Sequence, residues 1–408
     1  MLFTIPAWTI SILLKAFSVW FFATALMFWK KSRAFTRRAP KTRFACLIPA
    51  RNEEAVIADL VRSLREQNYP DEMYDIYVIP NNCTDGTEIE AMAAGAKILR
   101  CRGRIRCKGD VLQEAVSWLI DRRRKDGGQS DWAYDAFCLF DADNVVHPDF
   151  LARMNDAVAA GAKVAKGRQR VKNPRSSWVS GCYALYFAMN DTFFSRSRSH
   201  LGLSAKLVGT GMMVHRSVLE KMGGWNTTTI AEDAEFAAQC AELGQRVWWV
   251  PEAVTFDEAP LSFAMSLTQR KRWCSGIMST AEKMVPRLLR FPAEASTRRI
   301  VDMCFFLCTP FAQAASVLPG LLLFLGAIDQ GTLGTWTGLA ALFLIASTVA
   351  MTAFAFWLRW LSHQEIHSTS VFLFPLFMAS FIPLQILSLL NRTTEWKVIR
   401  HGESVGAI

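Results

Sequence analysis

Two blocks of apolar sequence set the terms on which this chain can fold. Residues 5–29 (IPAWTISILLKAFSVWFFATALMFW) form one hydrophobic run with aromatics near both ends, and further runs follow at about 300–328, 334–358 and 370–391. Each has roughly the 20 residues that a helix needs to span a hydrocarbon layer about 30 Å thick. Between the blocks the composition is that of an ordinary globular domain, so the 51% hydrophobic and 12% aromatic content is concentrated at the two ends. A single globular domain held beside a membrane is the expectation. Lys15, the one charge in the first run, is tolerable if it snorkels or faces protein. No basic segment precedes that run and no small-residue cleavage site follows it, which argues against a cleaved signal peptide.

The charge pattern orients the chain. The net charge is +10, and the run KKSRAFTRRAPKTR directly follows the first apolar segment, so that end and the middle of the chain are expected in the cytosol, at the inner membrane. Basic residues beside apolar segments suit an anionic lipid surface. No zinc-finger spacing or basic-aromatic groove accompanies them, so nucleic acid is not an expected partner. The linker DQGTLGT between the second and third runs has no basic residue and fits the outside. Three crossings after a cytosolic domain would leave the tail outside, yet Arg392, Lys397 and Arg400 favour the inside. Either one run is interfacial or re-entrant, or the tail breaks the charge rule; a cytosolic tail is the expectation. Pro310 and Pro319 mark the first of these runs as one that can break. The ten cysteines are scattered without metal-ligand spacing, and lone His147 and His215 read as ordinary polar residues.

From 43 to 260 the pattern alternates between short buried strands and amphipathic helices. Strands are expected at 44–50, 74–79, 96–100 and 136–140, with helices over 53–67, 86–94 and 109–124. Trp248 and Trp249 are also expected in a strand. This alternation means an α/β domain with a doubly wound, mostly parallel sheet, beside transmembrane α-helices. Ligands of such sheets bind beyond the carboxyl ends of the strands, and three of those ends are chemically loaded. Pro49-Ala50-Arg51-Asn52-Glu53 follows the first strand, Asn81-Asn82-Cys83-Thr84-Asp85-Gly86 the second, and Asp141-Ala142-Asp143 the fourth. Two carboxylates at i and i+2 repel, and Mg²⁺ or Mn²⁺ bridging them to a diphosphate would relieve the repulsion. The plainer alternative is that they cap the next helix. Glu232 and Asp233 open a later helix, where Asp233 could act as a general base or merely complement the helix dipole. Gln269-Arg270-Lys271-Arg272-Trp273 stands just ahead of the later apolar runs, where a basic amphipathic helix could lie on the bilayer.

Taken in order, these motifs resemble the membrane-integrated glycosyltransferases of family 2, the group of cellulose, chitin, hyaluronan and poly-N-acetylglucosamine synthases and ceramide glucosyltransferases. The resemblance covers about residues 43–276. It implies a cytosolic GT-A domain over 32–260 behind an N-terminal span (1–31), interface helices over 261–298, a membrane region over 299–391 and a tail over 392–408. It implies that Pro49, Ala50 and Glu53 line a uridine pocket, with Asn81 where the family usually has an aspartate accepting from the uracil. Lys108 and Asp141 would contact the nucleotide, and Asp143 would bind the metal. Asp233, next to Glu232, would deprotonate the acceptor. Gln269, Arg272 and Trp273 would complete the site, with Arg272 on the leaving diphosphate and Trp273 under the acceptor. Gly209-Thr210-Gly211 would border the acceptor, and a tail bearing Arg392, Trp396 and Lys397 would close over the nucleotide. The implied reaction is inverting, metal-dependent transfer from a UDP-sugar (UDP-GlcNAc or UDP-Glc). It would build and extrude a β-linked polysaccharide, with single addition to a ceramide- or diacylglycerol-type lipid as the alternative. Partners would be the bilayer, the donor, the acceptor, and further copies or accessory subunits.

Overall fold

The computed structural model describes residues 4–32, 34–103, 105–125, 133–291 and 294–393. The apolar run at the first expected strand is β1 (Phe44–Ala50), buried at every position, as a strand covered on both faces must be. β2 (Tyr74–Pro80) and β4 (Ala136–Leu139) flank it in parallel register, and β3 (Lys97–Ile98) extends the sheet beyond β2. The connecting helices α2 (Ile57–Arg65), α3 (Thr87–Ala93) and α4 (Lys108–Lys125) stand where the sequence period placed them.

Past β4 the sheet is mixed, although most of its strands still run in one direction, as expected. Its order is β3-β2-β1-β4-β7-β6-β8-β5. β7 (Met212–His215) runs antiparallel between β4 and β6 (Val164–Val171). β8 (Val247–Asp257) pairs in parallel with β6, and β5 (Val145–Val146) lies antiparallel at its edge. The cause is the route of the chain. After α5 (Phe150–Ala159) and β6 it makes an excursion through α6 (Trp178–Met189), a π-helical turn (Asn190–Arg196) and α7 (Ser197–His200). No crossover takes it back to the start of the sheet, so β7 enters from the end at which β6 left and must run the other way. α8 (Arg216–Met222) and α9 (Glu232–Glu242) then lead into β8. One face of the sheet packs on α4, α9 and α10 (Phe263–Leu288), the other on α2 and α5.

α1 (Thr4–Ala25) opens the chain, and α11 (Thr297–Ala315), α12 (Val317–Asp329), α13 (Leu333–Ser362), α14 (Ser370–Ala379) and α15 (Phe381–Leu390) close the described part. Among the described residues, four segments could cross a membrane by length and composition: Ile5–Trp29, Thr297–Asp329, Leu333–Ser362 and Ser370–Leu390. The second is broken at Ser316, between the two prolines. The fourth is broken at Ser380, and both of its ends meet the catalytic side of the molecule. At its start His367 N donates to Pro174 O (3.2 Å) and Gln364 Nε2 to Val171 O (3.3 Å). At its end Arg392 pairs with Glu282, and Thr393 N donates to Ser275 Oγ at 3.3 Å, both on α10. Arg270 of α10 is fully buried and fixes the break, donating to Phe377 O and Ser380 Oγ at 2.8 Å each. Both ends of this segment thus contact the α/β domain and α10, Arg392 included; Trp396 and Lys397 lie outside the described residues.

Candidate active site

The carboxyl end of β4, the loop before β7, the start of α4 and the start of α9 meet at Lys108. Its Nζ donates to Asp141 Oδ1 (2.5 Å) and Gly209 O (2.7 Å) and lies 3.4 Å from Glu232 Oε1. Burial alone would discharge this ammonium, but Asp141 and Glu232 reverse that and hold it firmly protonated. One lysine thus ties together three sequence motifs. Asp141 N donates to Thr210 Oγ1 (3.1 Å), Thr210 Oγ1 to Asn144 Oδ1, and Asn144 Nδ2 to Asp143 Oδ1 (3.2 Å). Neither aspartate caps the following helix, whose first residue is Phe150 after Asp149. The capping alternative fails on position.

The loops after β1 and β2 are stitched to each other. Asn52 adopts φ 57° and accepts from Thr84 N at 2.8 Å, while Glu53 N donates to Thr87 Oγ1 at 2.8 Å and Glu54 Oε2 accepts from Gly86 N at 2.7 Å. Pro49 and Glu53 face the central cavity. Ala50 and Asn81 are buried at the same strand ends but are not on its wall. Burial, then the charges of Asp143 and Asp141, push Glu53 up to about 9.

Glu232 and Asp233 occupy the first turn of α9. Burial lifts Glu232 to about 7 against the pull of Lys108, and lifts Asp233 against a hydrogen bond from Ala234 N (2.7 Å) to its Oδ1. A carboxylate raised in this way and facing a cavity has the character of a general base. Glu235, the third acid of that turn, is structural: it accepts from Thr228 N (2.9 Å), Thr229 N (2.7 Å) and Lys283 Nζ (2.5 Å). On α10, Gln269, Arg272 and Trp273 share the cavity face at i, i+3 and i+4, while Arg270 points to the opposite side. Tyr183 OH donates to Gln269 Oε1 (2.7 Å), and Trp273 stacks at 6.3 Å on Tyr186, which stacks at 5.6 Å on Phe381.

Of the remaining sequence candidates, Gly209 and Thr210 line the cavity. Gly211 sits behind them at φ +58°, where a Cβ would come within 2.8 Å of Thr255 and 3.1 Å of Lys166 Nζ. His147 and His215 are local: each Nδ1 accepts a backbone N–H two residues on, at 3.2 Å.

Sequence reasoning gave several wall residues no role. Lys166 on β6 is buried and donates to Thr210 O (2.8 Å). Lys206 Nζ donates to Asn190 Oδ1 (3.0 Å) and lies 3.2 Å from Tyr186 OH. Asp191, in the π-helical turn, is lifted to about 7 by burial. Asp257 ends β8 and is lifted to about 8 by burial and by Asp143. The alternation Lys166, Arg168, Arg170 was the available signal for a strand with a polar face.

The donor set fits a divalent cation. Among the described residues no three His, Cys, Asp or Glu side chains converge to hold an ion unaided. Asp143 nevertheless helps to raise both Glu53 and Asp257, and Asp257 Oδ1 is buried without a hydrogen-bond partner. Hard oxygen donors in that number suit Mg²⁺ or Mn²⁺ whose shell is completed by diphosphate and water.

Pro49, Glu53, Lys108, Asp141, Asp143, Glu232, Asp233 and Asp257 line one cavity with Gln269, Arg272 and Trp273; it measures about 980 Å³ and continues between α1, α11, α13 and α15.

The pattern described as "Glycosyl transferase family group 2" matches residues 136–385, and "Glycosyl transferase family 2" matches 45–223. Among similar proteins, "Probable glycosyltransferase YdaM" of Bacillus subtilis is 26% identical over 305 residues, 68% of this chain and 66% of its own. "Beta-monoglucosyldiacylglycerol synthase" of Nostoc sp. is 26% identical over 360 residues, 85% of this chain and 72% of its own. The chain thus spans about two-thirds to three-quarters of these relatives. The fold matches "Mannosyltransferase PcManGT from Pyrobaculum calidifontis in complex with GDP-Man and Mn2+" with a TM-score of 0.61 at 17% identity, covering 93% of this chain and 99% of that one. With a GT-A sheet, these strand-end residues and a family pattern over more than half its length, the chain belongs to glycosyltransferase family 2 and is a sugar transferase.

Proposed function

We propose that the protein transfers a hexose from a UDP-sugar, with inversion, to the hydroxyl of a membrane lipid, forming one β-glycosidic bond per acceptor. The shape of the cavity carries this reading. On α13 its wall runs from Met351 to Leu344. Leu344 is 18 residues from Ser362, about 27 Å along the helix, yet 11 residues short of Leu333, about 16 Å. The cavity therefore penetrates deeply among the apolar helices without reaching their far ends. Leu344 is also 66% exposed, and Ser347 and Thr348 are exposed with it, so this wall is open sideways. Acyl chains need a lateral opening; an extruded polymer needs an exit at the far end. The similarity to a beta-monoglucosyldiacylglycerol synthase over 85% of the chain supports the same reading.

The catalytic domain would lie on the cytosolic side of the inner membrane, where the basic residues from Lys30 to Arg43 meet anionic headgroups. Pro49, Glu53 and the Lys108–Asp141 pair would hold the nucleotide. Asp143, with Asp257 nearby, would hold Mg²⁺ or Mn²⁺, which when bound offsets charge on the diphosphate. Asp233 would take the proton of the acceptor hydroxyl as its oxygen attacks the anomeric carbon from the face opposite UDP. The bond from that carbon to the diphosphate oxygen breaks, and Arg272 supports the departing UDP. A second reading, synthesis of a β-linked polysaccharide, is favoured by the shared cavity face of Gln269, Arg272 and Trp273.

The test is UDP release by the purified protein in lipid nanodiscs, with UDP-glucose and UDP-N-acetylglucosamine as donors and diacylglycerol present or absent. Release that requires the lipid, and that falls by about 10²- to 10⁴-fold in Asp233→Asn, is expected. Equal release by Asp233→Asn, or release without any lipid acceptor, would overturn the proposal.

A further inference from the structure

Polar side chains are costly among membrane helices unless they meet a partner, so each one on the cavity wall needs an account. Most have one close at hand. The hydroxyls of Thr309, Ser316, Ser347 and Thr348 each donate to a carbonyl three or four residues earlier in the chain, at 2.6 to 3.0 Å. They are satisfied by backbone and ask nothing of a ligand.

Gln313 and Gln385 differ. They come from α11 and α15, 72 residues apart, and meet on the cavity wall, where Gln385 Nε2 donates to Gln313 Oε1. Gln385 is only 3% exposed, and its Oε1 is buried with no hydrogen-bond partner. Half a turn of both amides would exchange their N–H and C=O groups and reverse the donor within the pair. In either orientation one polar atom of a deeply buried amide stays unused at the cavity. An unused buried polar atom costs more than a hydrogen bond gains, so a ligand that completes the pair binds with an advantage.

We propose that Gln313 and Gln385 form a subsite for the polar linkage of the acceptor lipid, the ester or amide group joining its acyl chains to the backbone that carries the reacting hydroxyl. This rests on the lipid-acceptor reading above. The aromatic path Trp273, Tyr186, Phe381 leads from the sugar-transfer site to α15, and Gln385 stands one helical turn beyond Phe381 on that helix. The reacting hydroxyl, the acyl linkage and the chains would thus meet the carboxylates, the amide pair and the apolar wall in that order. An ester carbonyl accepts from the amide N–H in one orientation; an amide N–H in the lipid donates to the carbonyl in the other. An ether linkage offers only a weak acceptor and no donor.

The experiment compares three acceptors of equal chain length in nanodiscs: diacylglycerol, its dialkyl-ether analogue, and an N-acylated amino alcohol. The readouts are KM and kcat for lipid glycosylation, with UDP binding as the check on folding. Wild-type protein is expected to show a KM about tenfold lower for the ester and amide lipids than for the ether, the effect of one hydrogen bond. Gln385→Met should erase that preference, leave ether turnover and UDP binding unchanged, and leave kcat within about twofold. If Gln385→Met fails to bind UDP, Gln313→Met takes its place. Equal KM for ether and ester in the wild type, or a preference that survives substitution, would overturn the subsite while leaving lipid glycosylation standing. Absence of product from all three lipids would instead refute the lipid-acceptor reading.

Discussion

Replacing Lys108 by methionine removes the one cation that three elements share. Asp141 Oδ1, Gly209 O and Glu232 Oε1 would lose an ammonium now at 2.5, 2.7 and 3.4 Å. Breaking a buried ion pair costs about 3–5 kcal/mol because a charge is left uncompensated. The Asp141 side chain is 44% exposed, so water takes over part of the debt and the lower end, about 3 kcal/mol, applies. Glu232 limits the cost as pH rises. At about 7 with Lys108 present, it is protonated at pH 6 with or without the lysine; lacking the charge that held it down it rises further, so at pH 8 the variant ionises it less than the wild type does. The positive charge lost to a diphosphate is therefore offset in part at pH 8 and not at pH 6. The assay is UDP binding by calorimetry in detergent at several pH values with Mg²⁺ present. Lys108→Met should weaken binding by about 10²-fold at pH 6, the equivalent of about 3 kcal/mol, and by visibly less at pH 8. A loss that does not change with pH, or no loss, would refute the linkage between Lys108 and the Asp141–Glu232 pair.

The two arginines of the motif on α10 should separate. Arg272→Ala is expected to lower kcat by more than tenfold with thermal stability within about 0.5 kcal/mol, whereas Arg270→Ala, which strips the break at Ser380, should lower the unfolding temperature first; the measurements are UDP release and thermal unfolding in detergent. Stability without ligands should fall from pH 6 to pH 8. Glu232 and Asp191, both about 7 in the fold and near 4.5 and 3.8 unfolded, bind more protons folded than unfolded, so their contribution is full below the unfolded values and is lost as pH rises through 7. Thermal unfolding across that interval gives the sign directly. Cysteines placed at Gln330 and Thr393 should label from opposite faces of sealed vesicles, with Thr393 on the face of the catalytic domain; labelling from one face would contradict the returning path of Ser370–Leu390.

The parallel half of the sheet was legible because β1 and β4 are buried on both faces, which leaves apolar runs that end on charged residues. Asp141 and Asp143 were readable for the same reason, because a carboxylate directly past such a run has nowhere neutral to go, while Asp233 stood out as an acid at a helix start. Of the other half only Trp248 and Trp249 of β8 were read as strand. β6 carries Lys166, Arg168 and Arg170, and β8 carries Pro251 and Glu252, so neither shows a clean period. The apolar helix α6 gave no alternation to set it apart, and its π-helical continuation holds Asn190 and Asp191. Lys108 was visible as a residue but not as the hub of three motifs. Arg270 and Arg272 look alike in sequence, and only the helical turn between them sends one to the membrane helices and the other to the cavity. The meeting of Gln313 with Gln385 depends on how α11 packs against α15, which no local pattern records.

The central claim is one β-linked sugar per lipid, and the product itself tests it most directly. Protein in nanodiscs with diacylglycerol and the preferred UDP-sugar should yield an organic-soluble glycolipid that is one hexose heavier than its acceptor by mass spectrometry. Its anomeric proton should show the large coupling of a β-glycoside. A water-insoluble polymer released by β-glycanase, or an α-anomer, would contradict the account.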